Sequence, residues 1–157
     1  MRIRGETSNI TVDSSEFIKL NGSYTSSGSV YLMISEGTTA FGNGLEEKTD
    51  IVISNNYFHN GNPISTNTGA YAGIAIHQDP NEGGDQNITI ENNKISCFGR
   101  YGVVLEDVSG VDIVKNEIYN PTNYGGGFRY GLYHFSNFAF VGPDEICTIE
   151  NNFIHNI

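Results

Sequence analysis

The chain is poor in the residues that usually declare a protein's chemistry. It has two cysteines, Cys97 and Cys147, and neither sits in a C-x-x-C arrangement. Cysteine-built metal and redox motifs are thereby excluded, and two cysteines cannot form a disulfide framework. There are four prolines and no tryptophan. No apolar run reaches the roughly 18 residues that a transmembrane helix needs. The first residues, Met-Arg-Ile-Arg-Gly-Glu, lack the apolar stretch of a signal peptide. Basic residues are also few: 8 against 18 acids, a net charge of -10. Such a surface repels nucleic acid. The acids are spread along the chain, so their plain role is solubility. Apolar residues make up 38%, below the usual share, which predicts a narrow core.

What the chain has in quantity is asparagine and glycine, 19 of each. Both residues tolerate a left-handed backbone at tight turns. A fold that turns often, at equivalent places, is expected.

A repeat explains the composition. Its pattern is apolar, any, apolar, polar, an Asn-rich pair, any, apolar. The copies are Ile51-Val-Ile-Ser-Asn-Asn-Tyr-Phe58, Ile88-Thr-Ile-Glu-Asn-Asn-Lys-Ile95, Val111-Asp-Ile-Val-Lys-Asn-Glu-Ile118 and Cys147-Thr-Ile-Glu-Asn-Asn-Phe-Ile154, with Ile10-Thr-Val-Asp-Ser-Ser-Glu-Phe17 as a degenerate first member. Successive copies start 41, 37, 23 and 36 residues apart. The shortest spacing is about one bare coil, and the others carry loops. Alternation within each copy predicts a strand with Ile51, Ile53, Ile88 and Ile90 inward. The chain then bends at Asn56, Asn93, Asn116 or Asn152, where asparagine suits a left-handed corner. Stacked amides there can bond one copy to the next. Phe58, Ile95, Ile118 and Ile154 turn back inward after the corner.

A second strand follows a glycine, in Gly73-Ile-Ala-Ile-His77, Gly102-Val-Val-Leu-Glu106 and Gly131-Leu-Tyr-His-Phe135; Ser29-Val-Tyr-Leu-Met33 is the first member. Three short strands per turn, in parallel register, predict an all-β parallel β-helix of about five rungs over residues 1–157. At the normal strand spacing it would stand roughly 24 Å tall. No segment shows helical periodicity with caps. The Asn-Gly pairs fall in the wrong frame for the hairpins of a β-sandwich.

At these residues the chain resembles the parallel β-helix repeat proteins of the pectate-lyase-like superfamily, over roughly residues 8 to 157. The resemblance implies a right-handed solenoid and a carbohydrate-active protein, either a polysaccharide lyase or a glycoside hydrolase. It equally covers non-catalytic carbohydrate-binding, adhesion or spike-like modules, since fold does not settle function. It also implies an extracellular or cell-surface location. The Asp-rich and Gly-His-Gly signatures of polygalacturonases are absent. So is the Asp-Pro-His motif of mannuronan epimerases, because Asp79-Pro80 follows His77 in another order. Repeats reach both ends of the sequence, and an open rung exposes strand edges. The expectation is therefore a piece of a longer β-helix or association of chains through their ends.

In the family, substrate lies along the sheet assigned here to the Gly-led strands, flanked by loops at roughly 59–72, 78–87, 119–130 and 136–146. Alternation points Ile74, Ile76, Val103 and Leu105 inward, and Ala75, His77, Val104 and Glu106 outward. His77 and Glu106 should be neighbours on adjacent strands, with Asp79 and Asp107 just beyond and Phe135 next in the column. Arg100-Tyr101-Gly102 and Arg129-Tyr130-Gly131 repeat in phase, and Tyr133 follows Val104. Arginine forks suit carboxylates and tyrosines suit sugar faces. Hence Arg100, Arg129, Tyr101, Tyr130 and Tyr133 are candidate substrate contacts. Glu106, Asp107 and His77 are candidate acids and bases. In a lyase, Asp79, Glu106 and Asp107 could hold calcium. The architectural alternative is that His77 and Glu106 form an exposed cross-strand pair of little worth.

Other residues have plainer readings. His59 and His155 follow equivalent corners as echoes of the repeat, and His134 falls at an inward position as a hydrogen-bonded core histidine. Cys147 replaces Ile51 and Ile88 as a buried apolar residue. Cys97 sits at another corner, too distant for a bond to Cys147. Phe128, Phe135, Phe138 and Phe140 could cover the helix side or bind sugar. Gly125-Gly-Gly127 is a loop and no phosphate cradle, because no helix follows it.

Overall fold

The computed structural model describes residues 1–3, 7–18, 29–34, 48–61, 70–77, 87–106, 108, 110–122, 128–135 and 147–157. Asp79, Asp107, Phe138, Phe140, residues 125–127 and most of the expected loops lie outside them. The described residues form fifteen strands and no helix.

The strands are β1 (Arg2–Ile3), β2 (Thr7–Asp13), β3 (Glu16–Ile18), β4 (Val30–Ile34), β5 (Lys48–Ser54), β6 (Tyr57–His59), β7 (Ala70–His77), β8 (Ile88–Glu91), β9 (Lys94–Ser96), β10 (Phe98–Glu106), β11 (Val111–Val114), β12 (Glu117–Tyr119), β13 (Tyr130–Phe135), β14 (Thr148–Glu150) and β15 (Phe153–His155). They build three five-stranded sheets, each taking every third strand. The first runs β1-β4-β7-β10-β13, the second β2-β5-β8-β11-β14, and the third β3-β6-β9-β12-β15. All pairs are parallel. Each repeat of the sequence supplies a strand of the second sheet and one of the third. Each Gly-led segment supplies a strand of the first.

The register stacks like on like. Ile10, Ile51, Ile88 and Val111 form one inward column, and Val12, Ile53, Ile90, Ile113 and Ile149 another. Phe17, Phe58, Ile95, Ile118 and Ile154 line the third sheet. All but Ile149 and Ile154, which are exposed at the last level, make one core with Leu32, Ile34, Ile74, Ile76, Val103 and Leu105 from the first sheet. The middle members are fully buried, so each such side chain contributes about 1.5–3 kcal/mol.

Glycine at the head of the first-sheet strands has a steric cause. A Cβ at Gly73, Gly102 or Gly131 would overlap the Cγ2 of Ile95, Ile118 or Ile154 in the third sheet. One level lower, Tyr31 takes this column, and its ring instead lies 6.2 Å from that of Phe58.

The corner between the second and third sheets divides its work between two residues, which corrects the expected single corner asparagine. The left-handed residue is Ser14 (φ 48), Asn55 (φ 55), Asn92 (φ 53), Lys115 (φ 56) or Asn151 (φ 55), one place before the residue expected. The following Asn56, Asn93 and Asn116 are buried and form a ladder. Asn56 Nδ2 donates to Asn93 Oδ1, Asn93 Nδ2 to Asn116 Oδ1 and Asn116 Nδ2 to Asn152 Oδ1, each at 3.0 Å. The backbone N–H of each donates to the same oxygen, at 2.9, 3.0 and 2.9 Å. The other Nδ2 hydrogen reaches back to the carbonyl of Val12, Ile53 or Ile90 at 2.8, 2.8 and 2.9 Å. In Asn93 and Asn116 every donor and acceptor of the amide is thereby used, which makes burial affordable. Two further corners are left-handed as well. Asn9, Asp50, Asn87 and Gly110 precede the second-sheet core residues, and Cys97, Asn120 and Asn156 follow the third sheet.

Candidate functional site

Two surfaces gather chemistry-bearing side chains, and the outward face of the first sheet is the richer. Parallel register brings Tyr101 beside Tyr130, Val104 beside Ala75 and Tyr133, and Glu106 beside His77 and Phe135. The expected pairings across β7, β10 and β13 are thus present.

This face is covered, where alternation alone predicted an open one. Met33, Ala75 and Val104 are buried in a second apolar cluster with Tyr71, Ala72 and Tyr101, against which Tyr130 and Tyr133 pack. The large rings lie over the small residues of neighbouring strands. Tyr101 and Tyr130 stack at 5.6 Å and 16°, Tyr130 and Tyr133 lie 4.9 Å apart, and Tyr71 meets Tyr101 edge-on at 5.7 Å. Phe128, 77% exposed, extends the series 6.5 Å from Tyr130. Burial is the main reason the Tyr101 hydroxyl is pushed up to about 12. Tyr130 and Tyr133 are half-buried and offer ring surface to a ligand.

The two arginines are employed differently. Arg100 lies over the Tyr101 ring with Cζ 5.4 Å from its centre, and Nη1 donates to the Tyr71 hydroxyl at 3.2 Å. Its buried Nε–H meets no acceptor among the described residues. Arg129 donates through Nε to the Thr122 carbonyl at 3.1 Å, which fixes its position beside the same face.

His77 and Glu106 are each 6% exposed, so the pair is buried and the exposed cross-strand alternative is overturned. Nδ1 and Oε2 lie 2.8 Å apart. The distance is that of an ion pair, while the alignment falls short of a well-directed hydrogen bond. No group of three metal-ligating side chains occurs among the described residues. Two of the three candidate calcium ligands, Asp79 and Asp107, are outside them, as is Asp107 in its role as a catalytic carboxylate.

The outward face of the third sheet is the second surface, and its order was not read from the sequence. His59 Nε2 meets Glu16 at 2.7 Å, and His155 Nε2 meets Glu117 at 3.3 Å. Both are the same diagonal contact, one strand apart. The histidines stack on Tyr57 and Tyr119, whose hydroxyls lie 3.4 Å apart. Burial first, and the contact with Tyr57 second, push the Tyr119 hydroxyl up to about 12. The signal was present in the sequence as Tyr57-Phe-His59 and Phe153-Ile-His155, with a glutamate at the head of two sister strands.

Three plainer expectations change, two of them at the last level. His134 bonds the Val108 carbonyl at 3.0 Å as expected, but it is exposed, since its strand ends the first sheet. Cys147 packs on the core yet is only half-buried, for the same reason in the second sheet. The His59 and His155 echoes prove to be paired with glutamates. Both cysteines are free. No family model, curated protein or solved structure matches the chain.

Proposed function

We propose that the chain is a right-handed parallel β-helix that binds an extended polysaccharide along the outward face of its first sheet. Support for the fold comes from the rotation of the chain through three parallel sheets, and from the ladder at one corner. The observation that carries the function is the tyrosine platform with Arg100 at its side. Sugar rings present flat apolar faces that stack on tyrosine, and the guanidinium of Arg100, held over the Tyr101 ring, suits a uronate carboxylate. Arg129 adds positive charge to the same face and locally offsets the net charge of -10. Such a role places the protein outside the cell or on its surface.

Cleavage is the second reading, favoured by the burial of His77 against Glu106. Glycoside hydrolysis needs two carboxylates flanking the bond. The described part of this face supplies Glu106 alone, so proton abstraction by His77, with Glu106 orienting it, is the better-supported chemistry.

The test is affinity electrophoresis against uronate-containing and neutral polysaccharides, with and without calcium. Tyr130→Ala with Tyr133→Ala should weaken binding by roughly tenfold. Arg100→Gln should weaken uronate polymers selectively. Retardation by none of the polymers, or retardation indifferent to the tyrosine variants, sinks the proposal. Unsaturated-uronate absorbance that is lost in Glu106→Gln would establish elimination.

A further inference from the structure

Tyr71 stands apart from the other rings on the first-sheet face. It does not belong to the column that Tyr101 and Tyr130 share, because Ala72 takes that place in β7. Tyr71 precedes Ala72 as Arg100 precedes Tyr101 and Arg129 precedes Tyr130. At the level of β7 a tyrosine therefore replaces the arginine.

The geometry joins that tyrosine to the arginine of the next level. Tyr71 is 6% exposed, and its N–H donates to the Ser29 carbonyl, so the residue is fixed from its backbone outward. Its ring meets Tyr101 edge-on at 5.7 Å and 72°, and its hydroxyl accepts from Arg100 Nη1 at 3.2 Å. Phenylalanine would cover the same apolar cluster. What tyrosine adds here is an acceptor for a cation. Arg100 is thus held twice, by the Tyr71 hydroxyl and by the Tyr101 ring, whose centre lies 5.4 Å from Cζ.

We infer that Tyr71 is a positioning residue: its hydroxyl sets the Arg100 guanidinium in place and so determines the preference of this face for polymers bearing carboxylates over neutral ones. This rests on the reading of the face as a polysaccharide site and adds the residue that makes it selective. The physical ground is preorganisation. Arginine is among the side chains that lose most rotamer freedom when they are fixed. A ligand that must fix one binds more weakly for it, whereas here much of that freedom is already lost on folding. A guanidinium carries five N–H donors, and the bond to Tyr71 uses one, so the fork can still meet a carboxylate through two others.

Arg129 is held in another way. Its Nε donates to the Thr122 carbonyl at 3.1 Å, and Thr122 is fixed in turn through N–H and Oγ1 on the Phe98 carbonyl, at 2.8 and 3.3 Å. That anchor is main chain and indifferent to Tyr71. Loss of the Tyr71 hydroxyl should therefore reduce the preference for acid and leave part of it.

The test is affinity electrophoresis of the full chain against a polyuronate and against the same polymer with its carboxyls methyl-esterified. The parent should be held more strongly by the acidic form. Tyr71→Phe, which keeps the ring, should weaken binding to the acidic form by about fivefold and leave the esterified form unchanged. Made in an Arg100→Gln chain, the same change should have no further effect, because Tyr71 acts through the guanidinium. An equal loss on both polymers would make Tyr71 a packing residue and overturn the inference. So would an unchanged preference, or a full additional loss in the double variant. A parent that binds both polymers alike leaves the tyrosine platform standing and removes this inference alone. A parent that binds neither removes both.

Discussion

Two of the regions in which the molecule buries polar side chains differ in one respect. At the corner between the second and third sheets, Asn56, Asn93 and Asn116 repeat the same donor contacts level after level, and Asn93 and Asn116 also accept twice at Oδ1. On the outward face of the first sheet, His77 and Glu106 are buried once among the described residues, and with imperfect alignment. A buried polar group that recurs in register is architecture, because its environment is manufactured by the repeat. A buried polar pair that occurs once is maintained by something other than the repeat, and that makes it the candidate for chemistry.

Asn93→Ala breaks the comparison most severely. It removes the acceptor of both the Asn56 N–H and the Asn56 Nδ2, and the donor to the Ile53 carbonyl. Each group is left buried, at a cost of about 1–3 kcal/mol apiece, so a loss on the order of 4 kcal/mol is expected in urea unfolding. A loss below about 1 kcal/mol would mean that water replaces the amide and that the ladder is decorative.

Gly102→Ala comes next. The added methyl meets Ile118 of the third sheet and the Gly131 carbonyl of the neighbouring strand. Backbone cannot yield as a side chain end can, so about 1–3 kcal/mol of overpacking is expected from thermal or urea unfolding. Trimming Ile118 to alanine in the same chain should recover little, because the Gly131 contact remains. Full recovery would show that the glycine column answers to the isoleucines alone.

Much of this was legible in the sequence, for reasons that also mark where legibility stops. The apolar columns follow from period-two alternation repeated in five copies, and the pairing of His77 with Glu106 follows from counting forward from Gly73 and Gly102. The corner was read one residue late, because an Asn-Asn pair does not say which member takes the left-handed backbone. Lys115 carried the answer. It stands where the other late copies have the first asparagine, while Asn56, Asn93, Asn116 and Asn152 keep the second. The position that tolerates lysine is the exposed left-handed one, and the position that does not is the buried ladder. The cover over Ala75 and Val104 was not legible, since alternation assigns a side chain to a face and says nothing of what rings from neighbouring strands lay across it.

Replacing the unique pair sharpens the comparison from its other side. If His77 and Glu106 exist for function, the double variant His77→Leu with Glu106→Leu should fold as well as the parent, within about 1 kcal/mol, since a buried ion pair often gives way to apolar residues without loss. Either leucine alone should cost more than both together, because it strands the other group. A double variant as damaged as Asn93→Ala would make the pair structural and remove the best argument for chemistry at this face.

The smallest expected effect separates the two jobs inside the corner itself. Lys115 is exposed, has φ 56, and carries no ladder amide, so its substitution probes the left-handed backbone without touching the ladder. A β-carbon crowds the following carbonyl in that conformation, and asparagine tolerates it better than lysine. Lys115→Asn should therefore stabilise the chain by about 0.5 kcal/mol, within the range of surface substitutions at conformationally mismatched sites. Asn116→Lys, one residue on, should instead be among the most damaging changes, because it introduces a charge where the amide bonds Asn93 and Asn152. Equal effects of lysine at these adjacent positions would contradict the division of labour, and with it the reading that each corner is one conformational residue followed by one bonding residue.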